Sequence, residues 1–373
     1  MNDMMTKSRI LFILHLPPPV HGAAMVGKYI KDSELVNSEF ECRYVNLATA
    51  ADLEDIGKVG LKKLFSFLRL LREIRRRVKS FKPSLVYITP NAKGGAFYKD
   101  FVVVEMLKVM GCRVVAHYHN KGVAMRQDQW LDNWLYRHFF KGLKVILLAE
   151  VLYHDVEKYV SKRNVFVCPN GIPDIQTQRV ISPSERQKGD VPRLLFLSNL
   201  IVSKGVLVLL DALRIVKEKG YSVACDFVGG ETAELDSRKF QEEVTKRQLQ
   251  GVAVYHGKKY GDEKENFWSK TDVFVFPTYS DCFPLVILEA MQHALPCVST
   301  NEGAIPGMVE EGRTGFVVER QSPEATADAI CKLLDSAELR KRMGTVGRQR
   351  YEQSFTLQAF ERRMCDILHQ LVS

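Results

Sequence analysis

Short apolar runs alternate with helix-like segments along almost the whole chain. Runs such as RILFILH at 9–15, LVYITP at 85–90 and VILLA at 145–149 each lead into a segment that we interpret as a helix, for example 150–161. Strands that alternate with helices predict parallel sheets covered on both faces. We therefore predict an α/β fold with Rossmann-like, doubly wound parallel sheets, and one long final helix over about 349–372.

The alternation is interrupted once, at residues 173–192. This stretch, PDIQTQRVISPSERQKGDVP, is polar and contains prolines, as linkers do. A chain of 373 residues is too long for one ordinary core and fits two domains. We expect the first domain over 1–174 and the second over 190–351. The last segment, 352–373, is expected to be a helix that packs back on the first domain.

Nothing in the sequence predicts a membrane-spanning helix or an export signal. No run of about twenty apolar residues occurs. The apolar run near the N-terminus stops at three prolines and lacks a small-residue cleavage site, so we interpret it as a first strand. The cysteines are scattered without a Cys-x-x-Cys pair, which is typical of buried thiols in a reducing compartment. We therefore expect a cytoplasmic protein.

The stretch from Phe274 to Cys297, FVFPTYSDCFPLVILEAMQHALPC, combines an apolar strand, a short polar loop and a helix. The helix is expected to begin near Pro284, because the N–H that proline lacks is unpaired at a helix start anyway. Free amides and the helix dipole favour an anion at that point. Asp281 and Glu289 flank it, and carboxylates accept hydrogen bonds from hydroxyl groups. A ligand with both phosphates and hydroxyls, such as a nucleotide-sugar, fits this pattern.

Two residues in this stretch also have other interpretations. Asp281 suits a helix-cap position, where its carboxylate would only accept backbone N–H groups. Cys282, the next residue, could be a nucleophile, although no histidine lies near it in the sequence.

Two residues of the first domain are candidates for the same ligand. Gly22 follows the first strand and opens a helix, and a glycine-rich turn there lets a ligand approach the backbone. A turn needed only for packing is the alternative. His119 lies where the strand at 113–120 ends, and ligands of parallel sheets bind beyond such ends. It could equally be a loop residue that only makes hydrogen bonds.

Several segments together resemble the retaining glycosyltransferases of the GT-B architecture, specifically glycosyltransferase family 4. They are FLSNLIVSKGVLVLLDAL at 196–213, DFVGG at 226–230, DVFVFPTYSDCFPLVILEAMQHALPCVST at 272–300, GRTGFVV at 312–318 and, in the first half, HYHN at 117–120 and PNGI at 169–172. The resemblance covers nearly the whole chain and is strongest over 193–318. It implies two Rossmann-like domains that face each other across a cleft.

The resemblance also implies an activity. A chain of this kind is expected to move a hexose from a nucleotide-diphosphate sugar, of the UDP or GDP type, to a saccharide acceptor. The anomeric configuration would be retained, and neither a metal nor a bound cofactor would be needed. Cell-surface polysaccharide or lipopolysaccharide synthesis is the expected setting, with an acceptor that is lipid-linked.

The family's functional residues carry over onto matching positions of this chain. Lys204 would neutralise the leaving diphosphate, Asp281 would face the transferred sugar, and His119 would contact that sugar near the reacting carbon. Glu289 would accept hydrogen bonds from the ribose hydroxyls. The full set of expected donor-binding residues is Gly22, Asn199, Lys204, Phe283, Pro284, Leu285, Val286 and Glu289.

At two positions the chain departs from the family pattern. The family's usual first acid is glutamate, whereas Asp281 is one methylene shorter and its carboxylate must lie closer to the backbone. Asn199 stands where the family commonly has an arginine paired with the lysine. Because an amide cannot balance a phosphate charge, Lys204 and the loop amides would carry more of the diphosphate.

The positive charge of the chain is concentrated in its first half. Residues 1–175 hold 27 Lys and Arg against 17 Asp and Glu, whereas the rest of the chain is nearly balanced. Ten of these cations and a single acid fall within 58–82. We predict a helix there whose sheet-facing stripe is Leu64, Phe67, Leu71, Ile74, Val78 and Phe81.

A second sector of this predicted helix mixes apolar and basic side chains. Its members are Leu61, Phe65, Leu68, Arg69, Arg72, Arg76 and Lys79. Such a mixture is suited to an anionic membrane surface, so peripheral attachment at the inner face of the cell membrane is expected. The alternative is a solvated basic face whose few apolar side chains pack under a neighbouring element. Nucleic acid is disfavoured, because no nucleic-acid-binding module accompanies the charge.

Three other functions are alternatives to glycosyl transfer. NAD-dependent dehydrogenases also pair Rossmann-like domains, but the G-x-G-x-x-G pattern is missing after both first strands. A sugar-nucleotide epimerase would share the architecture and would need no acceptor. A sugar-binding relative that has lost activity is the non-enzymatic alternative, since the fold alone does not determine function.

Overall fold

The computed structural model describes residues 7–18, 22–47, 61–174 and 191–373, without the side chains of 61–63. The chain forms two compact units. Residues up to Gly171 together with Leu357–Ser373 make unit 1, and Ile172–Thr356 make unit 2. Most of the predicted linker, at 175–190, lies outside the described residues.

Unit 1 is built on a six-stranded parallel sheet. Its strands are β1 (Arg9–Leu14), β2 (Glu41–Asn46), β3 (Leu85–Ile88), β4 (Val114–His117), β5 (Lys144–Leu147) and β6 (Val165–Val167). Their order is β2-β1-β3-β4-β5-β6, and every neighbouring pair is parallel. The helices are α1 (Gly22–Asp32), α2 (Glu34–Glu39), α3 (Leu61–Phe81), α4 (Gly94–Val109) and α5 (Trp130–Phe140). Ile10 to Leu14 of β1 are fully buried, as expected for a strand covered on both faces.

Unit 2 repeats this plan. Its strands are β7 (Arg193–Leu197), β8 (Ala224–Val228), β9 (Ala253–Tyr255), β10 (Val273–Phe276), β11 (Cys297–Thr300) and β12 (Gly315–Val318). They lie in the order β12-β11-β10-β7-β8-β9, again all parallel. The helices are α6 (Val206–Glu218), α7 (Ser237–Lys246), α8 (Gly261–Lys270), α9 (Leu285–Gln292), α10 (Ile305–Met308), α11 (Pro323–Leu334) and α12 (Ala337–Ser354). The prediction of doubly wound parallel sheets is confirmed.

Each sheet has one point at which the strand order reverses. In unit 1 it lies between β1 and β3, and in unit 2 it lies between β7 and β10. The loops that leave the carboxyl ends of two such strands diverge to opposite faces, which leaves a crevice where ligands of open α/β sheets bind. The loops after β7 and β10 therefore border the crevice of unit 2.

Three sequence predictions about secondary structure were wrong. The segment predicted as a helix at 150–161 contains only a short 3-10 turn, Glu150–Asp155. The single helix predicted over 349–372 is two helices, because the backbone leaves the helical conformation at Phe355 and a new helix, α13 (Leu357–Val372), begins. In α3 the stripe predicted to face the sheet is buried at Ile74, Val78 and Phe81, but Leu64 is exposed.

Helix α13 packs within unit 1. His369 Nε2 lies 2.7 Å from a carboxylate oxygen of Glu39 at the end of α2. The Arg113 guanidinium donates a hydrogen bond to the Leu371 carbonyl oxygen. The apolar face of the helix is buried, including Phe360, Met364 and Leu368.

Candidate functional site

The loops after β7 and β10 meet at the point where the strand order of unit 2 reverses. A 3-10 turn, Val202–Lys204, follows β7 and leads into α6. Its Ser203 carbonyl oxygen accepts hydrogen bonds from the backbone N–H of Tyr279 and from the hydroxyl of Thr278. These bonds hold the turn against the β10 loop and leave Lys204 beside Asp281.

The backbone conformation and the close packing at position 205 explain why a glycine follows Lys204. Its φ is +89°, in the left-handed region, and a Cβ built on it would lie 2.2 Å from the Pro277 carbonyl oxygen. Only glycine allows the start of α6 to approach the end of β10 so closely. The Lys-Gly pair of the sequence therefore has a physical basis: the glycine permits the contact, and the lysine is placed by it.

Lys204 and Asp281, which the sequence assigns to one site, form an ion pair. Lys204 Nζ lies 2.6 Å from Asp281 Oδ2 and also donates to the Ser280 carbonyl oxygen at 3.1 Å. Both side chains are about one-fifth exposed, so the pair is accessible to a ligand from one side. The alternative interpretation of Asp281 as a helix cap was wrong: Pro284 occupies the cap position of α9, whereas Asp281 Oδ1 accepts the N–H of Cys282.

A buried carboxylate that we did not select from the sequence supports the Asp281 loop from below. Glu302 is 1% exposed, and its Oε1 accepts the backbone N–H of Asp281 at 3.1 Å. Its other oxygen faces Arg320 Nη1 at 2.9 Å. The next residue, Gly303, has a φ of +54°, and a Cβ there would lie 2.5 Å from the Asp281 carbonyl oxygen. The sequence feature that could have indicated this role of Glu302 is the position of Asn-Glu-Gly directly after β11.

Helix α9 begins beside this pair and carries Glu289 on its second turn. Pro284 is the N-cap residue of α9, and its side chain accepts no hydrogen bond from the first turn. The amides of Leu285 and Val286 and the helix dipole are therefore available to an anion. Glu289 Oε2 lies 2.7 Å from Nζ of Lys264 on α8, and the two side chains are about one-quarter exposed. Phe283, the first residue of the predicted amide set, is buried against Phe355.

The end of α9 is anchored by His293. Its Nδ1 contacts the Glu289 carbonyl oxygen at 2.7 Å, and its Nε2 contacts Glu265 at 2.9 Å. The ring stacks on the buried Trp268. The hydrogen bond from His293 lowers the pKa of the Glu265 carboxyl. These contacts fix the helix turn on which Glu289 sits.

Asn199 joins two loops of unit 2. Its side-chain oxygen accepts the backbone N–H of Gly230 at 2.9 Å and so ties the β7 loop to the β8 loop. The preceding Gly229 has a φ of +157°, and a Cβ there would lie 1.8 Å from the Ser198 carbonyl oxygen. An asparagine oxygen can accept this N–H whereas an arginine cannot, which is a structural role for the residue that departs from the family pattern.

His119 lies at the carboxyl edge of the unit 1 sheet, two residues after the end of β4. Its ring is 4.2 Å from that of His117, which is fully buried and hydrogen-bonded to the Tyr87 hydroxyl. Burial holds the pKa of His117 well below its usual range, and the nearby His119 ring acts in the same direction. His117 is therefore a neutral base that packs under His119.

Gly22 opens α1 at the same edge of unit 1. The glycine of this helix that is required for close packing is a different one: a Cβ on Gly27 would lie 2.1 Å from the His15 carbonyl oxygen. Across the point where the strand order reverses, the His15 N–H donates to the Thr89 hydroxyl. The structure thus places His119 and Gly22 in unit 1, and the other donor-binding and catalytic candidates in unit 2.

The cysteines and metal-ligating side chains add no further site of this kind. All eight cysteines are unbridged. Burial raises the pKa of Cys168 and of Cys297 to about 12, which keeps these thiols protonated and unreactive. Cys282 is buried as well. Among the residues that the structure describes, no three His, Cys, Asp or Glu side chains come together as metal ligands.

The members of the second sector of α3 whose side chains the structure describes are exposed. Phe65 and Leu68 are 67% and 37% exposed, and Arg69, Arg72, Arg76 and Lys79 are exposed as well. The side chain of Leu61 lies outside the described residues. No helix in the described part of the chain is long and apolar enough to span a bilayer.

Comparison with known proteins identifies similarities over both units. Residues 177–350 match the family described as "Glycosyl transferases group 1". The capsular polysaccharide biosynthesis glycosyltransferase CapM of Staphylococcus aureus is 30% identical over 44% of this chain and 42% of its own length. The sulfoquinovosyl transferase SQD2 of Arabidopsis thaliana is 31% identical over 90% of this chain and 62% of its own length. The chain thus spans less than two thirds of either relative.

A solved structure matches almost the whole chain. Alr3699/HepE of Anabaena, determined in complex with UDP, superposes with a TM-score of 0.74 over 97% of this chain and 100% of that chain, at 15% sequence identity. At 15% sequence identity, the match indicates a shared fold and nothing about the function. The TM-score indicates that the two proteins share the fold that contains the two six-stranded parallel sheets of this chain.

Proposed function

We propose that this chain is a retaining glycosyltransferase that moves a hexose from a nucleotide-diphosphate sugar to a saccharide acceptor. The family match and the curated relatives support a glycosyltransferase, and the two parallel sheets fit the GT-B architecture. The capsular polysaccharide biosynthesis enzyme among the relatives supports a role in cell-surface polysaccharide synthesis.

The observation that carries the proposal is the Lys204–Asp281 pair beside the start of α9. One cation, one anion and a set of available amides lie together where the strand order of unit 2 reverses. A donor of this class carries a diphosphate, which needs the cation and the amides, and hydroxyl groups, which need the carboxylates. UDP, the ligand of the HepE complex, has this chemistry.

Each group has one role in the proposed reaction. The bond between the anomeric carbon and the diphosphate oxygen breaks, and the diphosphate leaves with the electron pair. Lys204 and the α9 amides stabilise the negative charge that develops. The acceptor hydroxyl then bonds to the same carbon on the same face, and its proton leaves with the diphosphate. Asp281 orients the transferred sugar, and Glu289 binds the ribose hydroxyls.

The roles of His119 and Gly22 stay predictions from the family resemblance. In this proposal His119 contacts the transferred sugar, and the α1 start at Gly22 presents backbone amides to the diphosphate. The His119 ring lies 4.2 Å from the buried His117 ring at the carboxyl edge of the sheet, where ligands of parallel sheets bind, and this position supports the role. No metal and no bound cofactor takes part.

Product analysis tests the proposed reaction. The protein is incubated with a panel of UDP- and GDP-hexoses and with lipid-linked saccharides, and released nucleotide and products are followed by NMR. We expect transfer with the donor's anomeric configuration retained. A change of the donor sugar without any acceptor would instead identify an epimerase. Nucleotide-sugar binding without transfer or donor hydrolysis would identify a sugar-binding protein.

Replacing Glu289 with glutamine is expected to weaken donor binding about tenfold with little change in kcat. The reason is that the neutral amide accepts weaker hydrogen bonds from the ribose hydroxyls than a carboxylate does. Calorimetric titration with the nucleotide measures the effect. Glu263→Gln, which removes an exposed carboxylate from the neighbouring α8, is the matched control and should bind as the wild type does. An unchanged nucleotide affinity in Glu289→Gln would argue against the ribose contact.

A further inference from the structure

Exposed apolar side chains are concentrated in unit 1. Among the described residues, unit 2 exposes only Val191, Val254 and Tyr260 as large apolar side chains. Unit 1 exposes ten, and six of them form two groups on α3 and α5: Leu64, Phe65 and Leu68, and Trp130, Leu131 and Trp134. Trp130 is 81% exposed and Phe65 is 67% exposed. Side chains of this size are costly to leave in water, so their concentration on one unit indicates a surface that is covered.

The two groups lie on one helix layer. Helices α3, α4 and α5 connect β2 to β3, β3 to β4 and β4 to β5, and these steps all run in one direction across the sheet. Right-handed connections in one direction place their helices on the same face. Contacts between α3 and α4 and between α4 and α5 agree with this arrangement. Val102 on α4, the helix that contacts both α3 and α5, is exposed as well.

Both groups also lie towards the same end of the layer. Each of these helices follows a strand of a parallel sheet, so each begins at the carboxyl edge. Leu64 to Leu68 occupy the first turns of α3, and Trp130 to Trp134 occupy the first half of α5. The apolar groups are therefore at the edge of the sheet that carries His119. We call these six residues, with the basic turns that follow on α3, the α3–α5 face.

The charge on this face limits what can cover it. After the apolar turns, α3 presents Arg72, Arg75, Arg76 and Lys79, which line one open surface depression. The acid of this helix, Glu73, faces Arg77 at 3.7 Å. Apolar groups beside a set of cations match a surface with anionic headgroups and an apolar interior. Exposed tryptophans fit such a boundary, because their rings have an apolar body and a polar N–H.

We propose that the α3–α5 face docks unit 1 on an anionic lipid bilayer, with Trp130 and Trp134 at headgroup depth. The basic turns of α3 lie against the anionic headgroups, and the first turns of α3 and α5 insert Phe65 and the two tryptophans. The carboxyl edge of the unit 1 sheet then lies close to the lipid. The inference rests on the proposed function, since a lipid-linked saccharide acceptor is presented at such a surface.

The tryptophan content of the chain makes insertion directly measurable. Of the three tryptophans, Trp268 is 1% exposed, so Trp130 and Trp134 are the two that can respond to a surface. The full chain is mixed with vesicles of phosphatidylcholine alone or with added phosphatidylglycerol. We expect sedimentation with the anionic vesicles only, together with a blue shift of tryptophan emission and quenching by brominated lipid.

Two sets of variants assign the binding to the face. Neutralising Arg72, Arg76 and Lys79 with glutamine should lower the affinity for anionic vesicles about 100-fold. Neutralising Arg214, Arg238 and Arg313 of unit 2 removes the same charge and should have little effect. The double change Trp130→Ala and Trp134→Ala should abolish the blue shift and weaken binding. Tyr260→Ala, which removes an exposed aromatic ring from unit 2, is its control.

Three results would overturn the proposal. The first is vesicle binding that does not depend on the lipid charge, and the second is vesicle binding that both sets of unit 1 variants retain. The third is a shift of tryptophan emission caused by soluble oligosaccharide without vesicles, which would identify the α3–α5 face as a saccharide-binding surface. The vesicle assay contains neither donor nor acceptor. Its failure would therefore leave the proposed transferase activity standing, and a failure to bind any nucleotide would leave the docking result standing.

Discussion

Replacing Lys204 with alanine is expected to lower kcat about 100- to 1,000-fold, the loss typical when one group that stabilises a developing charge is removed. Lys204 is the cation held at the start of α9, and it lies 2.6 Å from Asp281. Asn199 has a neutral side chain whose oxygen accepts the Gly230 N–H, so this position brings no second cation to the diphosphate. The lysine should therefore matter more here than in proteins that have an arginine at the position of Asn199.

Steady-state kinetics with a fixed acceptor measures this loss. Lys219→Ala is the matched control, because it also breaks a lysine–aspartate pair in unit 2, with Asp328, on a different surface. It should leave kcat within about twofold of the wild type, since exposed ion pairs contribute little to stability. Near-normal turnover in Lys204→Ala would remove the lysine from the leaving-group role.

Replacing Gly205 with alanine is also expected to lower activity, although this residue has no side chain to contact a substrate. The new Cβ would lie 2.2 Å from the Pro277 carbonyl oxygen, so α6 and the β10 loop would have to separate. That movement would carry Lys204 away from Asp281. We expect a fall of at least tenfold in kcat/KM together with a lower melting temperature.

Gly220→Ala separates the steric effect from backbone strain. Gly220 has a φ of +87°, close to the +89° of Gly205, but no atom lies within 4 Å of where its Cβ would be. Both variants should lose about 1–2 kcal/mol for a left-handed residue with a side chain. Only Gly205→Ala should also lose activity. If the two variants behave alike, the close approach to Pro277 does not position the site.

The sequence was sufficient to predict the fold because parallel sheets leave a strong pattern. Strands buried on both faces are continuous apolar runs, as at Ile10–Leu14 and Val273–Phe276, and helices separate them regularly. The break between α12 and α13 was missed because neither proline nor glycine marks it. The prediction of a helix at 150–161 was wrong because the composition of this segment suits a helix, whereas its backbone forms only a 3-10 turn at Glu150–Asp155.

The candidate site could be predicted in part. Strand ends followed by Lys-Gly or by a polar loop and proline are local signals, and they led to Lys204, Asp281 and α9. The partners of these residues are distant in sequence and give no local signal. Lys264 lies on α8 and reaches Glu289 on α9, whereas Glu302 and Arg320 follow β11 and β12, the two strands on one side of β10 in the sheet. Likewise, the exposure of Leu64 depends on which elements pack around α3, and periodicity alone does not contain that information.

Calorimetric titration with UDP and with GDP tests the central claim most directly, because it needs no knowledge of the acceptor. We predict that one of the two nucleotides binds at a single site per chain. Its affinity should fall at least tenfold in Lys204→Ala and stay unchanged in Lys219→Ala. The account would be contradicted if neither nucleotide bound the wild-type protein, or if Lys204→Ala bound it equally well.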